Sequence, residues 1–199
     1  GKTTCLRTIM GLWKASAGAI RYDGHDVTRT PTPDLARLGI AYVPENMGIF
    51  AGLTVEENFA LAARAGRPDD ARLEWIFGLF PAMKKFWHAL AGNLSGGQKQ
   101  MLAISRAIVE PRTLLLVDEP TKGLAPSIIA NMIEAFRELK RTDTTILVVE
   151  QNFHFARSLG DAVAVMDSGR IVHSGAMQDL AQDEALQQRL LGLSLDSHQ

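Results

Sequence analysis

Leu114-Leu115-Leu116-Val117-Asp118-Glu119-Pro120 is the stretch on which the fold turns. Four consecutive large apolar residues have the length of a buried strand, too few for a helix. Two carboxylates follow at once. Pro120 cannot donate to a sheet ladder, so the strand stops there. The carboxyl edge of a parallel sheet is where such folds keep their ligands. Asp118 could hold Mg²⁺ directly or through water, and Glu119 could orient and deprotonate an attacking water. Taken in isolation, the same two acids could be an ordinary cap on a strand.

About twenty residues upstream stands Leu94-Ser95-Gly96-Gly97-Gln98. Typical residue frequencies make this pentapeptide a chance event of roughly a few in ten thousand for a chain of 199 residues. Ser95 alone could cap the helix expected over 97–109, but a cap requires neither two glycines nor a Gln. Glycines let a phosphate approach backbone N–H groups with no Cβ in the way, and the helix aims its positive end at that phosphate. At the start of the chain, Gly1-Lys2-Thr3-Thr4 opens a helix expected over 2–13, with Leu6, Ile9, Met10 and Trp13 on one stripe. Helix N-terminal amides bind phosphate, Lys2 would reach β- and γ-phosphates, and Thr3 would place a hydroxyl on Mg²⁺. An ordinary Gly-Lys before a helix is the alternative, because the earlier glycine of a phosphate loop is absent. With no initiator Met and no leading strand, the chain reads as a fragment whose beginning is missing. Downstream, residues 145–151 read as a second buried strand ending in polar groups, and Gln151 could touch a γ-phosphate.

Around these landmarks strands and helices alternate. Strands are expected over 19–22, 40–43 and 144–149, helices over 127–141 and 153–159, and a hairpin over 162–174 turning at Asp167-Ser168-Gly169. Alternation implies an α/β domain with a mostly parallel sheet. Residues 54–109 are all helical. Thr54 to Glu57 forms a capping box, Pro81 divides the helical stretch 69–90, and Trp75, Phe77, Phe80 and Trp87 read as its core. Asp34 is expected to cap a short helix. The resulting layout is an α/β core over 1–53 and 111–175, an inserted helical subdomain over 54–110, and a weakly helical tail over 176–199.

Composition closes off other classes. Lys+Arg number 21 against 22 Asp+Glu, and 46% of residues are hydrophobic. This is ordinary globular composition, neither disordered nor basic enough for a dedicated nucleic-acid binder. Cys5 is the single cysteine and reads as a small core residue, so there is no disulfide scaffold. The apolar runs are far shorter than the roughly 18 residues of a membrane span, and no secretory signal is visible. His25, His88, His173 and His198 show no metal-ligand spacing, and His154, three residues past Gln151, reads as facing outward or packing on its helix, with a replacement switch role as the alternative. Phe50, between Gly48 and Gly52, reads as an exposed docking anchor or as a residue folded under Leu53 and Phe59.

Gly1 to Thr4, Leu94 to Gln98 and Asp118 to Thr121, in this order, resemble the ATP-binding cassette (ABC) ATPases, and the resemblance covers essentially the whole chain. It implies a P-loop (RecA-like) core with an inserted helical subdomain, and ATP with Mg²⁺ as ligands. Gly1, Lys2, Thr3 and Thr4 would hold the phosphates, Thr3 and Asp118 the Mg²⁺, and Glu119 and Gln151 would be catalytic. The resemblance also implies head-to-tail dimers in which Ser95, Gly96, Gly97 and Gln98 close on the other subunit's ATP. Glu45 stands where most cassettes carry Gln, and Gln151 where most carry a switch His; both would sense the γ-phosphate. With Gly123-Leu124-Ala125-Pro126 and residues 53–58, these features are similar to the branched-chain amino-acid importer subunits. Asn46-Met47-Gly48 departs from that subgroup, leaving urea or another small polar solute as the alternative, and a soluble non-transport ABC ATPase as a further one. The resemblance implies a second ATPase subunit, alike or unlike, permease subunits, an extracytoplasmic solute-binding protein, no nucleic acid, and a place on the cytoplasmic face of the membrane.

Overall fold

A computed structural model describes residues 1–192. His198 and the end of the expected tail lie outside the described residues. The central sheet has three parallel strands in the order β3-β4-β5, namely Ile40–Val43, Leu114–Asp118 and Thr145–Val149. The register pairs Val43 with Val117 and Asp118 with Val149, so all three strands end together. In β4, Leu115, Leu116 and Val117 are fully buried. β5 departs from the expected buried strand. It lies at the sheet's edge and alternates, leaving Leu147 41% exposed.

Helix α1, Lys2–Ile9, packs Leu6 and Met10 against Leu35, Ile40 and Leu116. It is shorter than the apolar stripe suggests. Gly11 turns at φ +68, where an added Cβ would lie 2.8 Å from the Thr30 carbonyl oxygen, and Trp13 ends up exposed. Cys5 is exposed, not in the core, because α1 buries the narrow stripe of Leu6 and Met10 and Cys5 falls outside it. The hairpin β1–β2, Arg21–Tyr22 and His25–Asp26, turns at Asp23-Gly24; β6–β7, Ala162–Asp167 and Arg170–Ala176, turns at Ser168-Gly169. Both turns carry positive φ at their two central residues, as tight hairpins require. Helix α2, Thr32–Arg37, begins after Pro31; Asp34 sits inside its first turn paired with Arg37 and does not cap it.

Between β3 and β4 lie α3 (Val55–Ala62), α4 (Asp70–Leu79), α5 (Pro81–Lys85) and α6 (Gly96–Ala107). The Thr54–Glu57 capping box forms with both of its bonds, and Asp69 caps α4. Phe59, Ile76, Phe80, Met83, Leu102 and Ile104 are fully buried, and Trp87 meets Phe59 and Phe77 edge-on at 5.1 and 5.3 Å. The same core continues into Leu115, Val117 and Phe136, so the helical segment shares its interior with the sheet. Then follow α7 (Pro126–Leu139), α8 (Phe153–Leu159), α9 (Met177–Gln182) and α10 (Glu184–Leu191). No described helix is long and apolar enough to cross a membrane.

Candidate nucleotide site

The ends of the three parallel strands bring the acidic residues together. Asp118, the last residue of β4, is fully buried. The Thr3 hydroxyl donates to its Oδ1 at 3.1 Å, and the Tyr42 hydroxyl donates to its Oδ2 at 3.2 Å. Burial pushes the Asp118 carboxyl above the usual carboxylate range; the two hydroxyls oppose this, and the charges of Glu119 and Glu45 add to it. Burial also raises the Tyr42 phenol. A buried acid with acidic neighbours is stabilised by a cation. The oxygen donors Thr3 and Asp118 suit Mg²⁺, which takes one or two protein oxygens and completes its shell with water and phosphate. Among the described residues no cluster of three or more His, Cys, Asp or Glu could hold a metal ion.

Glu119 takes the left-handed conformation at φ +47, unusual for a residue with a long side chain. Its amide donates to the Val149 carbonyl at 2.8 Å, which extends the β4–β5 ladder one step and fixes the turn. Gln151, two residues past β5, donates from Nε2 to Glu119 Oε1 at 2.7 Å. The two sequence-predicted catalytic residues therefore meet each other directly.

Glu45, two residues past β3, forms an ion pair with Lys122, whose ammonium is also 3.9 Å from Glu119 Oε2. The hydrogen bond and charge of Lys122 hold Glu45 below its usual range, and Glu45 raises Lys122. Lys122 escaped the sequence reading because its partner is 77 positions away. Glu150 also escaped it. One of its carboxylate oxygens accepts from the Thr121 amide and hydroxyl at 2.9 and 2.6 Å, the other from the amides of Gln151 and Asn152 at 2.9 Å each. It ties the loop after β4 to the loop after β5. Its place in a run of strand residues followed by Gln-Asn was the available signal.

Gly1 is the N-cap of α1 and stands against Met166 and Gly169. Lys2, Thr3 and Thr4 form the first turn, whose amides precede any helical bond acceptor. Ser95 begins α6, remote in sequence from both groups. It does cap the helix: Oγ accepts from the Gln98 amide at 3.3 Å, and Gln98 Oε1 accepts from the Ser95 amide at 2.9 Å. Gln98 therefore has a capping role that the sequence reading denied it. Gly97 has a packing role too, because a Cβ there would lie 2.8 Å from Ile128 Cγ2. Gly96 faces open space. The serine hydroxyl keeps its own proton free to donate outward.

Three parallel strands that deliver acids to one edge, beside a Lys-Thr helix start, define an α/β nucleoside-triphosphatase core. A family profile described as "ABC transporter" matches residues 1–122, and the chain belongs to that family. The BraG protein of Pseudomonas aeruginosa, a high-affinity branched-chain amino acid transport ATP-binding protein, is 42% identical over 174 residues, covering 86% of this chain and 75% of its own. A probable branched-chain amino acid transport ATP-binding protein, LivF, of Archaeoglobus fulgidus is 34% identical, over 97% and 83% of the two chains. The methionine import ATP-binding protein MetN of Corynebacterium jeikeium is also 34% identical, over 90% of this chain but 50% of its own. A solved ATP-binding cassette of an ABC transporter superposes with a TM-score of 0.79 at 23% identity, over 98% of this chain and 84% of that one, which bears out the expected fold. The chain is an ABC transporter ATP-binding subunit that binds nucleotide and hydrolyses ATP.

Proposed function

We propose that this subunit drives uptake of branched-chain amino acids through an ABC importer. Lys2 and the amides of Gly1 to Thr4 hold the β- and γ-phosphates. Thr3 and Asp118 hold Mg²⁺, which supplies charge neutralisation when bound. Glu119 takes the proton of the attacking water, and Gln151 holds its carboxylate in place. Catalysis of this kind is mostly positioning and charge stabilisation. Ser95, Gly96, Gly97 and Gln98 face the ATP of a second ATPase subunit, alike or unlike, in a head-to-tail pair. Glu45 and Gln151 sense the γ-phosphate. The pair docks on permease subunits at the cytoplasmic face of the membrane, fed by an extracytoplasmic solute-binding protein. Residues 1–53 and 111–175 act as the core and 54–110 as the helical subdomain. Phe50, 48% exposed with the Arg106 guanidinium 4.8 Å from its ring centroid, belongs to the permease-facing surface.

The observation that carries the substrate class is the 42% identity to a branched-chain amino acid transport ATP-binding protein across most of both chains. The methionine importers favour a second reading, for methionine, although this chain spans about half the length of the MetN proteins. Uptake by vesicles carrying the subunit with its co-encoded permeases and binding protein separates them. Leucine uptake that requires ATP and excess-leucine competition support the proposal. Methionine or urea uptake without leucine uptake overturns it.

A further inference from the structure

Glu45 is anionic at a place where a polyanionic ligand has to arrive, and the structure gives it a counter-charge from far along the chain. Glu45 follows Pro44 at the exit of β3, whereas Lys122 lies in the loop that joins β4 to α7. Their side chains form an ion pair, and Lys122 also stands 3.9 Å from Glu119 Oε2. The Lys122 side chain is 62% exposed, and pairs that wet contribute little to folding. What the pair does change is the local field. Glu45, Asp118 and Glu119 gather at the same strand ends, and Asp118 is already buried among like charges.

We propose that Lys122 is a positioning residue for ATP hydrolysis, which neutralises Glu45 and draws its carboxylate toward the loop before α7, so that the site admits a triphosphate despite carrying a glutamate there. Lys122 acts through Glu45 and touches no reacting atom. The inference rests on the reading of these strand ends as the nucleotide site. Like charges roughly 8 Å apart at an effective dielectric of about 40 repel enough to shift an affinity about fivefold.

The test is a double-mutant cycle in the intact protein, with Kd for ATP from calorimetry alongside kcat and KM. Lys122→Met should raise both Kd and KM about fivefold at low ionic strength, with the loss falling on KM more than on kcat. The penalty should shrink toward twofold in about 0.5 M salt, where the Debye length is only a few ångström. In the Glu45→Gln background the same Lys122→Met change should alter Kd less than about 1.5-fold, measured against Glu45→Gln alone. Lys122→Arg should restore wild-type Kd. A penalty of equal size in both backgrounds overturns the proposal, since Lys122 would then act on nucleotide itself. A silent Lys122→Met overturns it as well, leaving an inconsequential surface pair. Lys2→Ala separates the two levels. If it leaves ATP binding intact, the nucleotide-site reading fails and this inference with it. If it abolishes binding while Lys122→Met behaves alike in both backgrounds, this inference fails alone.

Discussion

Replacing Gly97 with Ala adds one methyl group at the second residue of α6, and the structure says what it strikes. An ideal Cβ there lies 2.8 Å from Ile128 Cγ2, 3.3 Å from Cγ1 and 3.5 Å from Cδ1. Cγ2 is bonded to Cβ of a β-branched residue, so it cannot swing aside as the tip of a long chain would. Either Ile128 leaves its rotamer or α6 shifts against α7. Overpacking of this sort costs about 1–3 kcal/mol. At about 2–4 °C per kcal/mol for a chain of this size, the melting temperature should fall by about 2–12 °C. Gly96→Ala is the control. Nothing lies within 4 Å of its added Cβ, so its melt should match wild type within about 0.5 kcal/mol. Ile128→Ala in the same molecule removes the struck atoms, and Gly97→Ala should then cost less than half as much. The assay is thermal unfolding of the four variants, followed by ATP turnover of each in the assembled transporter. Turnover lost in Gly97→Ala says nothing about phosphate contact, because packing accounts for it. Turnover lost in a fully stable Gly96→Ala does report on a ligand closing over α6. A Gly97→Ala protein that melts like wild type, or whose penalty is unchanged by Ile128→Ala, refutes the packing argument.

Three further outcomes are expected. Glu119→Gln should keep ATP binding and lower steady-state hydrolysis by about 10²–10⁴, the worth of a general base; a loss under tenfold would remove Glu119 from that role. Gln151→Ala frees the Glu119 carboxylate from its 2.7 Å hydrogen bond and should lower turnover about tenfold, whereas Gln151→His should keep much of it. In the histidine variant, turnover should acquire a dependence on pH centred near about 6.5, which wild type lacks because an amide has no proton to lose there; a flat profile would show that position 151 does not sense the reaction. Phe50→Ala should leave the melt of the lone subunit nearly unchanged and weaken permease capture in a pull-down by about 2 kcal/mol or more, as for a buried aromatic anchor; a large drop in melting temperature with intact capture would make Phe50 a core residue.

What could be read from the sequence was local chemistry. The β4 run, the stop at Pro120 and the box at Thr54 each depend on residues within four positions of one another, and each stands in the structure where it was expected. The hairpin of β6 and β7 was legible for the same reason. Contacts across the chain were not. The end of α1 is set by the closeness of Gly11 to Thr30, which no periodicity encodes, so the stripe through Trp13 overran the helix. Cys5 and β5 were read as buried from their apolar neighbours, but burial depends on what covers a face. In the site, Asp118 and Glu119 were visible as a pair of acids. The Tyr42 partner of Asp118 and the Lys122 partner of Glu45 were not, because a hydrogen bond over 76 residues and an ion pair over 77 leave no mark on local spacing. The glycines of the pentapeptide were read as room for phosphate, and the packing of one of them against Ile128 was not legible.

The segment between Glu45 and α3 is fastened in an unusual way. Asn58, fully buried, accepts from the Phe50 amide and donates to the carbonyls of Phe50 and Thr54, and Arg106 of α6 donates to the Gly48 carbonyl. Residues 50–54 are thus riveted to α3, and between them and Glu45 the chain turns sharply at Met47 and Gly48, with φ of +65 and +62. A strap so pinned behaves as a crank and not as a spring. Any movement of Glu45 would have little slack to disappear into, because the bonds of Asn58 and Arg106 hold most of the segment. On the proposed function, a displacement of Glu45 would turn about that elbow and carry Phe50 and the start of α3 with it.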